Sequence, residues 1–285
     1  MEKKRRQLGV AETKMASPEA LGWSLTGHLL GLNQAEFRTA TESPFLLAAG
    51  QGRLSKDILG RWLANDRLYI HAYIKAVGRT LSVIDLPQVT TATESAETQL
   101  VDWLFKSLTE LRREERFFID VARRYGLSID LEATAVTEGG LELKRVPGTA
   151  KLPGLVMFER LFGSLHPASS IDRDLPLPWL EAAIVFWGTE KVYSEAWTWA
   201  KSKQDPRSDG SNDADGGALR KEFVPNWGNE GFSAFVDQLA AIIDGSVQKA
   251  TEKLGGDPKE LFVKRVEAIW NDLLAAEAAF WPKLD

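Results

Sequence analysis

The feature that most restricts this chain is a three- and four-residue spacing that sets single acids among tryptophans. In WLANDRLYIHAYI, residues Trp62, Asp66, Tyr69 and Tyr73 fall at 0, 4, 7 and 11, which on a helix is one face. FWGTEKVYSEAW puts Trp187, Glu190, Ser194 and Trp197 at 0, 3, 7 and 10, and IWNDLLAAEAAFW puts Trp270, Leu274, Glu277 and Trp281 at 0, 4, 7 and 11. A stripe of this composition is core-facing, and it carries its carboxylate inward. An unpaired buried carboxylate costs several kcal/mol, so each acid needs compensation. Two forms of it stay open: a private partner such as Lys191, Arg67 or a tyrosine hydroxyl, or convergence on a polar ligand atom in an aromatic slot. Carboxylates crowded in an apolar hollow raise one another's pKa, which suits general acid/base work near neutral pH.

The same periodicity runs through most of the chain, whereas alternating β-branched runs are few. Helices are expected through GWSLTGHLLGL and NQAEFRTATE. Another starts behind the N-cap Ser55 and runs to about Ser82. A further helix runs from about Thr93 to Tyr125, closed by Gly126. Residues 128–151 mix turn residues with short apolar pairs and read as a long, mostly irregular connection. LVMFERLFGSL forms a helix ending near Pro167, and PLPWLEAAIVFWGTEKVYSEAWTWAKS a strong one with Pro178 near its start. KQDPRSDGSNDADGG is polar and rich in Gly, Asp and Ser, the composition of a solvated, mobile insertion at about 203–217. Two helices close the chain, at about 230–254 and 257–281. The expectation is an all-α multi-helix bundle: a flexible basic N-terminus over 1–18 and one helical domain over 19–285.

Composition narrows the function. A formal charge of −5 argues against nucleic acid as partner. With no cysteine there is no disulfide, thiolate metal site or cysteine nucleophile. No apolar run is long enough to span a bilayer, and MEKKRRQLGV lacks a signal peptide's apolar core, so the expected location is cytoplasmic. Among the histidines His28, His71 and His166, none has Glu three residues before it, so the helical di-iron pattern is missing and no metal site is expected. A heme would need an axial ligand, for which His28 is the candidate; a histidine on a mixed helix face is more often structural. Gly50 and Gly52 mark a turn and not a nucleotide fingerprint, since no strand precedes them. RREER at 112–116 reads as a solvated helix face.

Four stretches in order then carry a family resemblance: ESPFLLAAGQGRLSKDILGRWLANDRLYIHAYIKAVG, FWGTEKVYSEAW, NWGNEGFSAFVDQL and AAEAAFW. Together, over about residues 35–281, they resemble the TenA proteins of the heme-oxygenase-like helical fold. The resemblance implies thiamin salvage: a small-molecule aminopyrimidine, of the formylaminomethyl or aminomethyl type, is bound and a bond on it is hydrolysed without a cofactor. One TenA branch uses a cysteine nucleophile where this chain has Trp187. The chain is instead similar to the cysteine-less branch, whose glutamate before a Val-Tyr pair matches Glu190, Val192 and Tyr193. The family's second acid, before a Phe-Trp pair, maps onto Glu277, and its pyrimidine-contacting Asp and Tyr map onto Asp66 and Tyr69. The resemblance thus implies Glu277 and Glu190 as catalytic residues. Asp66, Tyr69, Tyr73, Trp187 and Phe158 would bind substrate. Phe158 departs from the family's frequent tyrosine, keeping a ring but losing a hydroxyl. TenA proteins often assemble as dimers or tetramers, so a homo-oligomer fits the resemblance. The alternative is a non-catalytic pyrimidine-binding or regulatory protein of the same fold, which would be stabilised by ligand without forming product.

Overall fold

The computed structural model describes residues 22–90, 93–139, 141–165, 175–254 and 258–284. The basic start at 1–18, His166 and the helix end expected near Pro167 lie outside them. Serines open four of the helices, each hydroxyl accepting from a backbone N–H three residues on: Ser24 from Gly27, Ser43 from Leu46, Ser55 from Ile58 and Ser95 from Thr98. They cap α1 (Leu25–Gly31), α3 (Pro44–Gly50), α4 (Lys56–Leu81) and α5 (Ala96–Tyr125). Between α1 and α3 lies α2 (Gln34–Thr41). Gly126, at φ 67°, ends α5 in the left-handed conformation a glycine adopts without strain. The remaining helices are α6 (Pro153–Ser164), α7 (Leu180–Ser202), α8 (Val224–Trp227), α9 (Glu230–Leu254) and α10 (Lys259–Phe280). Among the described residues, no helix is long and apolar enough to cross a membrane.

Helix α7 is the spine. It packs on α2, α3, α8, α9 and α10, while α4 packs on α5 and α6, and α6 closes the circuit against α10. The α6–α10 crossing is tight because Gly154 has no side chain; a Cβ there would overlap the Phe280 nitrogen and the Ala276 carbonyl. At the centre, Trp62 meets Trp197 (ring centroids 5.5 Å), Trp281 (5.8 Å) and Phe45 (5.5 Å). The Trp281 indole donates to the Ala40 carbonyl at 2.7 Å, which ties the chain's C-terminal end to α2.

Two expectations need correction. Residues 128–151 are not mostly irregular: β1 (Thr134–Glu138) and β2 (Leu141–Arg145) form an antiparallel hairpin paired from Thr134↔Arg145 to Glu138↔Leu141. β1 leads into Gly139, whose φ of 58° is a left-handed conformation open to glycine. The second is the polar stretch 203–217, which is not simply solvated. Asp215 is buried and its carboxylate accepts from the Gly217 and Leu219 amides at 2.8 and 2.7 Å. Asp213 pairs with Arg220 at 2.7 Å, and the Ala214 amide donates to the Gly52 carbonyl at 2.8 Å. Its aspartates act as local caps, and the segment docks on the turn between α3 and α4. It leads through a π-helical turn, Leu219–Phe223, directly into α8.

Candidate active site

Four helices each deliver one carboxylate to a shared region of the bundle. Asp66 comes from α4, Glu190 from α7 and Glu277 from α10. The fourth is Glu114 on α5, which lies inside the RREER run assigned above to a solvated face. Asp66 and Glu277 are 4% exposed, whereas Glu114 and Glu190 are half-buried. The reason Glu114 turns inward is visible along α5: Leu100, Trp103, Leu104, Ser107, Leu111 and Phe118 are its buried face. Residue 114 continues that face three positions after Leu111. A run of five residues exceeds one helical turn and cannot lie wholly on one side. Its neighbour Glu115 is also buried, tied to His71 at 2.7 Å and to Arg112.

The private cationic partners considered for these acids are engaged elsewhere. Lys191 pairs with Glu195 at 2.6 Å and Arg67 with Asp130 at 2.7 Å. Among the described residues, no lysine or arginine forms an ion pair with Asp66, Glu190 or Glu277. The compensation is by hydroxyl and indole donors: Tyr193 Oη donates to Asp66 Oδ2 at 3.5 Å and Trp227 Nε1 to Glu114 Oε1 at 2.6 Å. Burial and mutual repulsion move the protons accordingly. Burial pushes the Glu190 carboxyl up to about 8, with Glu114 adding repulsion. Burial likewise lifts Glu114 to about 7, against the pull of the Trp227 indole. Asp66 is raised well above the carboxylate range by burial and by Glu114 and Glu190, and Glu277 by burial and by Asp66 and Glu190.

A cavity of about 340 Å³ opens beside this cluster. Glu114, Glu190, Tyr193, Trp227 and Ser107 line it, with Phe232 and Phe235 closing one side. Asp66, Tyr69, Tyr73, Phe158 and Glu277 are not in its wall but behind it. There Tyr69 packs edge-on against Phe158 (4.9 Å) and lies 5.8 Å from Phe280, and Tyr73 lies 5.0 Å from Phe186. Two buried hydroxyls at this boundary, Tyr73 Oη and Ser107 Oγ, have no hydrogen-bond partner, although Glu190 and Ser107 both lie against the Tyr73 hydroxyl.

Trp187 is the expected site residue that the structure sends elsewhere. It stacks on Trp270 at 5.7 Å and 23°, on the side of α7 turned to α10, and is absent from the cavity wall. Trp187 lies three residues before Glu190 and Tyr193 three after, so about 120° of helix rotation separates them. The rings presented to the cavity beside Glu190 are those of Tyr193 and Trp227, which meet edge-on at 5.5 Å, with Phe232 and Phe235 also in the wall. Both occur in the quoted motifs, yet nothing in their spacing marks either as a ligand contact. The loop placing α8 against α7 is long-range information that helical spacing does not contain.

No family model matches the chain. Among curated proteins it is 28% identical over 228 residues to a probable transcription factor of Fusarium pseudograminearum, covering 78% of this chain. The chain spans only 45% of that relative's length. It is 23% identical over 248 residues to a probable bifunctional TENA-E protein of Glycine max, covering 86% of each. Solved structures share the fold, among them two TenA proteins. A TenA homologue from Pyrococcus furiosus aligns with TM-score 0.62 at 18% identity, covering 90% of this chain and 97% of the other. A TenA family transcription regulator from a Silicibacter strain aligns with TM-score 0.57 at 12% identity, covering 90% and 94%.

Proposed function

We propose that this chain, whose all-α, heme-oxygenase-like fold is that of TenA proteins, hydrolyses a small aminopyrimidine in thiamin salvage without a cysteine nucleophile. The observation that carries the reading is Glu190, an acid held near neutrality in the wall of a cavity whose rear is built from Asp66, Glu277 and tyrosines. In this reading Asp66, oriented by the Tyr193 hydroxyl, accepts from the exocyclic amine and ring edge of the pyrimidine. Tyr69, Tyr73 and Phe158 shape the ring slot, and Tyr193 and Trp227 supply the contacts once assigned to Trp187.

For a formylaminomethyl pyrimidine, the water oxygen adds to the formyl carbon as the ionised fraction of Glu190, the minor form below about pH 8, takes its proton. The carbon–nitrogen bond then breaks, Glu277 protonates the departing amine, and formate is released. The two roles need acids with separated proton affinities, which burial at different depths provides. Ligand would have to enter between the wall and the ring cluster, because the acids now behind the wall are the ones expected to hold it. Assignment to the glutamate branch rests on the Glu190-x-Val192-Tyr193 pattern and on the absence of cysteine.

Two of the similar proteins carry transcription-related names, which keeps a binding-only role as the competing reading. Purified protein incubated with formylaminomethyl and aminomethyl pyrimidines decides between them. Product formation by wild type, lost in Glu277→Gln, is expected. Thermal stabilisation by the same compounds without product would favour the binding protein, and no response of either kind would remove both.

A further inference from the structure

Away from the cavity, the β1–β2 hairpin is an element whose own bonds leave it incomplete. An isolated two-stranded hairpin is marginal in water, and a further strand or a packed face is what stabilises one. In β1 and β2 every residue but Val136 is exposed. The register sorts their side chains onto two faces. Lys144, with the flanking Ala133 and Val146, turns to the bundle, where all three line a hollow against Ala64, Arg67 and Leu68 of α4. The opposite face carries Val136, Leu141 and Leu143, of which Leu141 and Leu143 are 68% and 41% exposed. Glu138 and Arg145 form an ion pair across that same face.

The outer edge of β2 is open. Among the described residues, Leu141–Arg145 makes no main-chain hydrogen bond beyond its ladder with β1. Such an edge is a template for another strand, which charged side chains usually guard against. In LELKR the charges are spaced so that they satisfy a copy of themselves. On a second LELKR laid antiparallel about a two-fold axis at Leu143, Glu142 falls opposite Lys144 twice. Leu141 then falls opposite Arg145 twice, and Leu143 opposite itself. Unlike charges directly across a ladder stabilise it, and like charges weaken it. Moving the axis by one residue sets Glu142 against Glu142, or Lys144 against Lys144, so the register is specified. The β1 edge offers no such match, because the same operation about Val136 sets Glu138 against Thr134 and Thr137 against Ala135.

We propose that the β2 edge is a docking surface for a second copy of this chain, whose own β2 adds antiparallel to make a four-stranded sheet. Val136 and Leu143 of both copies then form one apolar strip across the four strands, on the face turned from α4. The proposal does not depend on the hydrolytic reading of the cavity. Five residues a side cover less than the about 1,200 Å² of a standard stable complex, so the pairing should be weak and concentration-dependent.

The chain has no cysteine, so one introduced thiol reports the interface cleanly. In full-length Leu143→Cys the two thiols sit on the axis, where opposed Cα atoms are about 4.5–5.5 Å apart, within disulfide reach. Mild oxidation with glutathione disulfide should give a linked dimer on a non-reducing gel. Val136→Cys should not link, because its two copies are three strand spacings apart, about 14 Å. Adding Lys144→Glu to Leu143→Cys should slow linking about tenfold or more. Adding Glu142→Lys as well should restore it, since both cross-strand pairs return with their signs exchanged. A merely damaged hairpin would not recover in this way: within it, Glu142 and Lys144 lie opposite Thr137 and Ala135. Absence of linking in Leu143→Cys, equal linking through Val136→Cys, indifference to Lys144→Glu, or no recovery in the double reversal each overturns the proposal.

Discussion

Glu190 separates a structural from a chemical account at the scale of single residues. It is half-buried, unpaired with any cation among the described residues, and next to the Tyr73 hydroxyl. A carboxyl kept there only for packing would be replaced by glutamine at little cost in activity. A working acid or base would not, since a positioned proton-transfer group contributes about 10²–10⁴-fold. Glu190→Gln should lower kcat for a turned-over pyrimidine by at least about a hundredfold, with ligand-induced thermal stabilisation retained. A variant with wild-type kcat would demote Glu190 to a lining residue. Residue-level legibility was uneven for a physical reason. Asp66, Glu190 and Glu277 stand out because their own helices surround them with tryptophan. Glu114 hides because its local sequence is charged; the buried face of α5 points to it, and the tertiary partner Trp227, 113 positions away, holds it there.

Elements were legible where they carry their own signals. Ser55 announces a helix start and Gly126 a helix end, whereas the start of α5, expected at about Thr93, lies behind Ser95; the long apolar periodicities of α4, α5 and α7 mark their helices. The hairpin is hard to read because its strands are short and almost wholly exposed: LELKR alternates over only four residues and TAVTE does not alternate, which is too little to separate a strand from a loop. The aspartates of 203–217 read as solvent-loving by composition, whereas Asp215 spends its charge on backbone amides. How elements approach one another is likewise absent from periodicity, and Gly154 shows the cost of that silence. Nothing in LPGLVMF marks the glycine as special, yet α6 can reach α10 only because no Cβ intervenes. Gly154→Ala gains helix propensity of about 1 kcal/mol but forces the backbones apart. A net destabilisation of about 1–3 kcal/mol is expected, read as a lower urea midpoint with an unchanged slope. A neutral or stabilising result would mean that the crossing has slack.

For the whole molecule, the convergence of four acids from α4, α5, α7 and α10 has a consequence that no single helix would produce. Glu114 and Glu190 hold their protons to about 7 and about 8 in the fold, against ordinary values near 4.5. Below the ordinary value both folded and unfolded chains are protonated and the acids' contribution to stability is fully present. As pH rises past it, the unfolded chain ionises while the fold still holds its protons, so stability falls until the folded values are passed. Surface carboxylates act in the opposite sense: ion pairing or hydrogen bonding holds Asp205, Glu222 and Glu260 below their usual range, and what they contribute is lost on acidification. The stability maximum should therefore lie on the acid side of neutrality, at about pH 5. The melting temperature should drop steadily from there to about pH 9. Replacing both cavity acids, as Glu114→Gln with Glu190→Gln, removes two of the four raised acids and part of the repulsion on Asp66 and Glu277, and should make that decline shallower while leaving the acid-side loss intact. A wild-type profile that is flat or rising between pH 5 and 9 would show that these carboxyls already ionise freely, in contact with water. The reservoir of protons on which the hydrolytic reading draws would then be missing.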